Sequence, residues 1–160
     1  MVPYCYDPVT KTVRFLVVTR ANGTVEVMGG KTDAKDASIW QTIMREVKEE
    51  SNNVISVSVS LPPTWIYFAD SKFFMFFLPM TMEEQSRYKP SCFGAREIGD
   101  AERQISWLLA DEIYRLRMIK YDPRAFFIYC NVLANHLTRR HSSEIRLGFR
   151  TSKLATTVFR

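Results

Sequence analysis

The sequence predicts an α/β fold in which a mixed β-sheet lies between helices. Short segments rich in Val, Phe and Ile, each of strand length and bounded by turn residues, recur through residues 2–79. A helical pattern centred on Glu46 interrupts these segments, and a second amphipathic pattern runs from Pro123 to about Arg139. The resulting order, β-β-β-α-β-β-β-β-α-α, is typical of a mixed sheet covered by helices in an α/β sandwich.

The predicted strands flank the first helix and continue after it. Three form a meander before the helix and three follow it, at residues 2–6, 12–19, 25–28, 54–61, 64–69 and 72–79. Residues 81–100 are polar and are expected to form a loop that is partly helical. A last strand ending near Trp107 is expected to lead into a short helix at residues 111–117.

The helix around Glu46 has recognisable ends. Ser38, followed three residues later by Gln41, has the form of a capping box, so the helix is expected to begin at Ile39 with the Gln41 side chain reaching back. Asn52 and Asn53 favour the left-handed conformation that ends a helix. Apolar residues between these ends recur at helical spacing and predict one buried stripe, made of Ile39, Trp40, Ile43, Met44 and Val47.

Three carboxylates are crowded on this helix. Glu46, Glu49 and Glu50 are close enough in sequence for a helix to bring them to one side. Like charges at these spacings destabilise a helix by roughly 0.2–0.5 kcal/mol per pair, so the arrangement indicates a cation among them. Carboxylate oxygens are the ligands that a hard divalent ion such as Mg²⁺ prefers.

Residues 29–54 resemble the Nudix box, whose pattern is Gly, five residues, Glu, seven residues, then Arg-Glu-hydrophobic-x-Glu-Glu-x-Gly-hydrophobic. The run Arg-Glu-Val-Lys-Glu-Glu at residues 45–50 matches the second half of this pattern, and Gly-Gly-Lys at residues 29–31 matches its entry. The order of predicted elements over residues 2–137 is also that of a Nudix domain. The resemblance therefore implies a Nudix-like α/β/α sandwich.

The box departs from the family pattern at two places. Fifteen positions separate Gly30 from Arg45 where the family has fourteen, so the loop between them is one residue longer. The position of the family's first Glu is consequently Asp36 when counted forward from Gly30, or Ala37 when counted back from Arg45 in the helix. Asn52 stands where the family has Gly, and it should form the same left-handed helix end at a modest conformational cost.

The resemblance implies a divalent-metal site and a set of catalytic residues. The implied ligands of Mg²⁺ or Mn²⁺ are the carbonyl of Gly30 and the carboxylates of Glu46, Glu49 and Glu50. The implied catalytic residues are Arg45, Glu46, Glu49 and Glu102, of which either Glu46 or Glu102 is the general base. The implied contacts to substrate phosphates are Arg20 and Lys31.

These roles imply a pyrophosphohydrolase that cleaves a phosphoanhydride bond in a nucleoside diphosphate linked to another group. The candidate substrates are an mRNA cap, or another polyphosphorylated compound such as a diphosphoinositol phosphate. The alternative is a catalytically weak Nudix-fold module that binds nucleotide or RNA. Strand aromatics could contact a base or form the core, and the candidates are Trp65, Tyr67, Phe73 and Phe76.

The positive charge of the chain is concentrated at its end. Residues 139–160 contain six Arg or Lys and one Glu, which equals the whole net charge of +5, so residues 1–138 are neutral overall. We expect a Nudix-like domain at residues 1–140 and a basic tail at 141–160, either disordered or holding a polyanion such as RNA.

Cysteine usage and hydropathy suggest a compartment. The three cysteines are far apart in sequence and lack metal-type spacing, as expected for free thiols in a reducing environment. No apolar segment reaches membrane-spanning length, and no secretory signal is recognised at the start. We expect a cytoplasmic or nuclear protein that does not enter a membrane, and the pattern predicts no particular oligomeric state.

Overall fold

The computed structural model describes nine parts of the chain, which are residues 1–20, 23–57, 64–69, 72–88, 103–118, 128, 130–134, 147–151 and 155–159. Within these parts the chain forms nine strands and three helices that have complete bounds. Residues 128 and 130–134 are also helical. No helix in the described parts is long and apolar enough to cross a membrane.

The strands and helices follow the predicted order closely. The strands are β1 Val2–Asp7, β2 Thr12–Arg20, β3 Thr24–Glu26, β4 Thr64–Phe68, β5 Phe73–Met80, β6 Arg103–Leu108, β7 Arg117–Met118, β8 Leu147–Thr151 and β9 Ala155–Phe159. The helices are α1 Ile39–Glu50, α2 Met82–Arg87 and α3 Ala110–Tyr114.

One mixed sheet contains all nine strands. Eight of them lie in the order β7-β3-β2-β1-β5-β4-β8-β9, and β6 pairs with β2. Strand β2 is central because Phe15 pairs with both Tyr4 and Leu108, while Val18 pairs with both Glu26 and Ile105. Strands β1 and β3 therefore share one edge of β2, and β6 lies along the other edge. Parallel pairs join β1 to β5, β3 to β7 and β4 to β8, which makes the sheet mixed.

Two hydrophobic clusters lie on opposite faces of the sheet, because successive strand residues point to opposite sides. On one face, Phe15 and Phe77 pack with Ile113 of α3 and Leu133 of the helical segment 130–134. On the other face, Leu16 and Phe76 pack with residues of α1, including Ile43 and Val47. Helices thus cover both faces of the sheet, which confirms the predicted α/β sandwich.

Helix α1 begins and ends close to the predicted residues. Ser38 is the N-cap, and its Oγ accepts a hydrogen bond from the Gln41 N–H at 3.1 Å. The Gln41 side chain accepts from the Ala37 N–H at 2.7 Å, one residue before the cap. At the other end, the Asn53 N–H donates to the Lys48 carbonyl at 2.8 Å, and Asn52 has a φ of 51°. This pattern is a Schellman motif with Asn in the place usually held by Gly.

Four expectations differ from the structure or lie outside its described part. The helix predicted for residues 111–117 ends at Tyr114, and Arg117 belongs to strand β7. Residues 54–57 do not form the strand predicted for 54–61, and residues 58–61 lie outside the described part. Residues 147–151 and 155–159 form strands, whereas the sequence pattern assigned no strand to the segment after residue 140. Of the helix predicted for residues 123–139, only 128 and 130–134 are described, and these are helical.

The left-handed end of α1 leads to a prediction about stability. Replacing Asn52 by Ala should lower the free energy of unfolding by about 1 kcal/mol, because Ala tolerates a positive φ less well than Asn. Replacing Asn52 by Gly should leave stability equal or raise it by up to about 1 kcal/mol. Urea unfolding followed by circular dichroism measures both changes. Equal stabilities for the two variants would contradict the assignment of Asn52 to the helix end.

Candidate functional site

The candidate site lies where the glycine loop after β3 meets helix α1. Strand β3 ends at Glu26, and the chain passes through Gly29 and Gly30 before a loop that leads to the helix cap at Ser38. Ile43 and Val47 of the predicted stripe are buried against the sheet and fix the rotation of the helix, whereas Ile39 is exposed. The glutamate-bearing side of the helix therefore faces the glycine loop.

At this junction Gly30 lies against the carboxylate of Glu46. A Cβ atom added to Gly30 would lie 2.3 Å from the carboxyl carbon of Glu46, too close for any side chain unless one of the two groups moved. Only glycine therefore allows the backbone to approach the carboxylate this closely. The contact places the Gly30 backbone beside the Glu46 carboxylate, two of the groups predicted to bind a metal ion.

Arg45 connects the loop to the helix. Its guanidinium donates to Asp36 through Nε at 3.3 Å and Nη2 at 3.0 Å. It also donates through Nη1 to Glu46 at 2.9 Å and to Glu49 at 3.3 Å. A further bond runs from Nη2 to the Lys31 carbonyl at 3.2 Å. One cation thus holds three carboxylates and the loop backbone.

Asp36 is held as an anion by these contacts. The hydrogen bonds from Arg45, together with one from the Asp33 N–H at 2.8 Å, lower the pKa of the Asp36 carboxyl to about 2. The same pairing raises the pKa of the Arg45 guanidinium. The Asp36 side chain is only 7% exposed. Asp36 is therefore an ion-pair partner of Arg45 at the end of the lengthened loop.

The other two glutamates point to different partners. The Glu50 carboxylate accepts a hydrogen bond from the Gly29 N–H at 2.7 Å, while Glu49 is half-exposed and pairs with Arg45. Within the described residues, no three Asp, Glu, His or Cys side chains are grouped in a way that could hold a metal ion. The convergence of Glu46, Glu49 and Glu50 expected from helix spacing is therefore not present in this side-chain arrangement.

The donor chemistry nevertheless fits a hard divalent ion. The Glu46 carboxylate packs against Gly30, and the Glu50 carboxylate accepts a hydrogen bond from the Gly29 N–H in the same loop. Glu49 is 51% exposed, so its carboxylate has room to change rotamer. Oxygen ligands of this kind are those that Mg²⁺ and Mn²⁺ prefer. The metal site remains a prediction that these contacts support.

The structure describes some, but not all, of the residues predicted to contact phosphate or to act as the general base. Lys31 is exposed on the loop beside Gly30. Arg20 is the last residue of β2, and the position of its side chain is not described. Glu102 lies outside the described residues, so Glu46 is the candidate base that the structure places. Each of these roles stays a prediction.

The strand aromatics pack mainly with each other. Phe76 is buried against Trp40 of α1, with ring centroids 5.3 Å apart. Phe74 lies between its neighbours, with centroids 4.5 Å from Tyr67 and 5.8 Å from Trp65. Most of the predicted base-contacting residues are therefore part of the packing around the sheet. Phe74 was not among them, although its place two residues before Phe76 puts both on one face of β5.

Solved structures of similar fold are Nudix proteins. A MutT/Nudix family protein from Listeria innocua matches at a TM-score of 0.53 and 14% identity, covering 87% of this chain and 91% of that one. The C. elegans Ap4A hydrolase in a binary complex matches at a TM-score of 0.51 and 13% identity, covering 86% and 96%. These matches confirm the Nudix resemblance at the level of the fold.

A third structure extends the comparison. Shewanella oneidensis NrtR matches at a TM-score of 0.50 and 15% identity, and the match covers 85% of this chain but 62% of NrtR. No protein-family model matches the sequence, and no curated protein matches it. At these identities the shared property is the Nudix fold.

The ion pair between Asp36 and Arg45 predicts a pH dependence. Because the folded-state pKa of Asp36 is lowered to about 2, its stabilising contribution should be complete above about pH 4 and should be lost as the pH falls toward 2. The difference in unfolding free energy between the wild type and Asp36→Asn should be constant from pH 5 to 7 and shrink below pH 4. Urea unfolding at several pH values measures this difference. An NMR titration that gave Asp36 an ordinary pKa would contradict it.

Proposed function

We propose that this protein is a divalent-metal-dependent pyrophosphohydrolase that cleaves a phosphoanhydride bond in a nucleoside diphosphate linked to another group. The observation that carries the proposal is the Glu46 carboxylate, packed against Gly30 and held by Arg45 on a Nudix fold. One of the solved structures of similar fold is named a hydrolase of Ap4A, a substrate that contains phosphoanhydride bonds. At 13% identity this supports the reaction class only as an analogy.

Residues of this chain would bind the metal ion and orient the Glu46 carboxylate. The carboxylates of Glu46, Glu49 and Glu50 and the carbonyl of Gly30 would hold Mg²⁺ or Mn²⁺. Such an ion neutralises charge that develops on phosphate oxygens and lowers the pKa of a bound water. Arg45 directs Glu46 toward the glycine loop through the 2.9 Å contact.

The proposed reaction is an attack of water on phosphorus. A new bond forms between the water oxygen and phosphorus, the bridging phosphorus–oxygen bond breaks, and the leaving phosphate takes its electron pair. Glu46 or Glu102 accepts the proton from the attacking water. Lys31 and Arg20 bind the phosphates through charge-assisted contacts and so compensate the negative charge of the substrate.

The charge distribution favours a large anionic substrate, such as capped RNA or a diphosphoinositol phosphate. Residues 139–160 carry the whole net charge of +5, whereas the rest of the chain is neutral. A cationic segment attracts polyanions over a distance set by the ionic strength, and a small nucleotide gains less from it. We further propose a cytoplasmic or nuclear location, which the free thiols Cys5 and Cys130 support.

The first test compares two matched glutamates. Glu49→Gln should reduce kcat/KM by about 100-fold or more, because it removes a charged ligand. Glu83→Gln is the control, since Glu83 also forms an ion pair with an arginine four residues away, on the exposed helix α2. Turnover should be measured with Mg²⁺ or Mn²⁺ on nucleotides, dinucleoside polyphosphates, capped RNA and inositol pyrophosphates.

The outcomes of this test separate an enzyme from a binding module. Loss of turnover in Glu49→Gln, with normal turnover in Glu83→Gln, supports the hydrolase. Equal turnover in both variants contradicts the role of the box. If the wild type binds members of the panel but hydrolyses none with either metal, the protein is the catalytically weak module for nucleotide or RNA that the sequence left open.

The second test concerns the basic segment. Replacing Arg139, Arg140 and Arg146 by Gln should raise KM for capped RNA and reduce the dependence of that KM on salt. The slope of log KM against log salt concentration should fall by up to about 0.7 for each phosphate that an arginine no longer neutralises. KM for a mononucleotide substrate should stay within about 2-fold of the wild type, since a mononucleotide carries fewer charges for a cationic segment to attract. Initial rates at several salt concentrations measure both effects. An unchanged salt dependence would contradict RNA binding by this segment.

A further inference from the structure

The basic end of the chain extends the sheet. Strand β8 lies parallel to β4, and β9 pairs antiparallel with β8. Both strands belong to residues 139–160, the segment that carries six Arg or Lys and one Glu. Among the strands that the structure describes, β9 is the last at this end of the sheet, and β4 lies between β5 and β8. The positively charged segment is therefore attached to the sheet along β4.

The pairing register places four residues of β4 and β8 on one face of the sheet. Tyr67 pairs with Arg150, and Trp65 pairs with Gly148. On its other side Trp65 pairs with Phe76, which belongs to the cluster packed against α1. Residues paired directly across neighbouring strands share a face, and so do residues two apart along a strand. We call Trp65, Tyr67, Gly148 and Arg150 the outer surface, which lies on the α1 face of the sheet.

The aromatic part of the outer surface is held in place and still meets solvent. Phe76 is buried beneath α1, with its ring centroid 5.3 Å from that of Trp40. One strand farther out, Trp65 and Tyr67 are only half-buried. Phe74 packs on both, with ring centroids 4.5 Å from Tyr67 and 5.8 Å from Trp65. Because this packing already restricts both rings, a flat group that stacks on them orders few additional side-chain rotamers.

The chemistry of the outer surface favours an unpaired nucleic-acid strand. Arg150 occupies the register position beside Tyr67, so the sequence puts a cation next to a half-buried ring. Proteins that bind single strands combine aromatic side chains, on which bases stack, with cations that attract phosphates. The bases of a duplex already stack on one another, and an anionic lipid has no planar group to stack. The packed rings and the charge of residues 139–160 together therefore match a single strand.

The outer surface adjoins the proposed site of hydrolysis without belonging to it. Phe74 lines a cleft together with Gly30 of the glycine loop, and Tyr67 packs on Phe74 from the next strand. Arg150 lies one strand farther from the glycine loop. A polymer whose capped end enters the site can continue across β4 and β8, whereas a mononucleotide ends at the site.

We propose that the outer surface binds the single-stranded RNA that follows the cap of the substrate. Unpaired bases stack on Trp65 and Tyr67, and the positive charge of Arg150 attracts the phosphates that join them. This inference rests on the proposed function with capped RNA as the substrate, and it deepens that function by adding a contact with the RNA chain outside the site of hydrolysis. It also gives the basic segment a defined place of contact, since β8 belongs to that segment.

Fluorescence anisotropy with an uncapped, labelled single-stranded RNA of about eight nucleotides tests the outer surface in the full chain, and EDTA in the buffer removes any need for catalysis. Tyr67→Leu should weaken binding by about 5-fold or more, because it removes a ring on which a base stacks. Tyr67→Phe keeps the ring and should bind within about 2-fold of the wild type. Tyr114→Leu is the matched control and should not change the affinity, since Tyr114 is 48% exposed on α3, which packs against the opposite face of the sheet.

A second comparison tests the charge beside the rings. Arg150→Gln should weaken binding of the single strand and lower the slope of log Kd against log salt concentration by up to about 0.7. Arg115→Gln is its control, since Arg115 is exposed at the end of α3. Arg150 is not a member of the aromatic cluster, so this variant tests the outer surface even if Tyr67→Leu unfolds. For a duplex of the same sequence, Tyr67→Leu should change the affinity by less than about 1.5-fold, because paired bases are already stacked.

The outcomes distinguish the outer surface from the hydrolase. RNA binding that Tyr67→Leu weakens no more than Tyr114→Leu overturns the outer surface, even if the protein hydrolyses capped RNA. RNA binding that depends on Tyr67, in a protein that hydrolyses no member of the panel, supports the outer surface and overturns the hydrolase. In an active protein, Tyr67→Leu should raise KM for capped RNA by about 5-fold and leave KM for a cap dinucleotide within about 2-fold.

A lipid surface is the other partner that the same experiment detects. Vesicles of phosphatidylserine and phosphatidylcholine present negative charge without bases, so the wild type and Tyr67→Leu should bind them equally or not at all. Vesicle binding that depends on Tyr67, in a protein that does not bind the single-stranded RNA, overturns RNA as the partner of the outer surface.

Discussion

The candidate site depends on the ion pairs and hydrogen bonds that the Arg45 guanidinium forms. Asp36, Glu46 and Glu49 would repel one another at the distances at which the structure places them, and one cation with five donors joins all three. A lysine could not replace it, because a single ammonium lacks the planar set of donors that these carboxylates and the Lys31 carbonyl share. The loop and the helix are therefore held together by charge.

The sheet gives this ion-pair network its place in the molecule. Alternating residues of β2 and β5 bury one cluster on each face, and α1 covers one face through its apolar stripe. The adjoining side of α1 then meets the glycine loop, where the missing side chain of Gly30 lets the Glu46 carboxylate approach the backbone. Packing of the helix and the close approach at a single glycine together set the position of the carboxylate.

The helix ends and most strands are predictable from interactions between residues that are close in the sequence. The ends of α1 follow from Ser38 and Asn52, because a hydroxyl N-cap and a left-handed Asn act on backbone groups within a few residues of themselves. Most strands are predictable for the same reason, since the alternation of apolar and polar residues that identifies a strand lies within a few consecutive residues. The convergence of the three glutamates did not follow from spacing, because Glu50 bonds to Gly29, a partner outside the helix.

The sequence by itself determined the fold class, the limits of α1 and the identity of the charged residues on it, since these depend on periodicity, capping and near neighbours. Only the tertiary structure decided which groups those charges meet. Asp36 pairs with Arg45 across a loop whose path no local rule fixes.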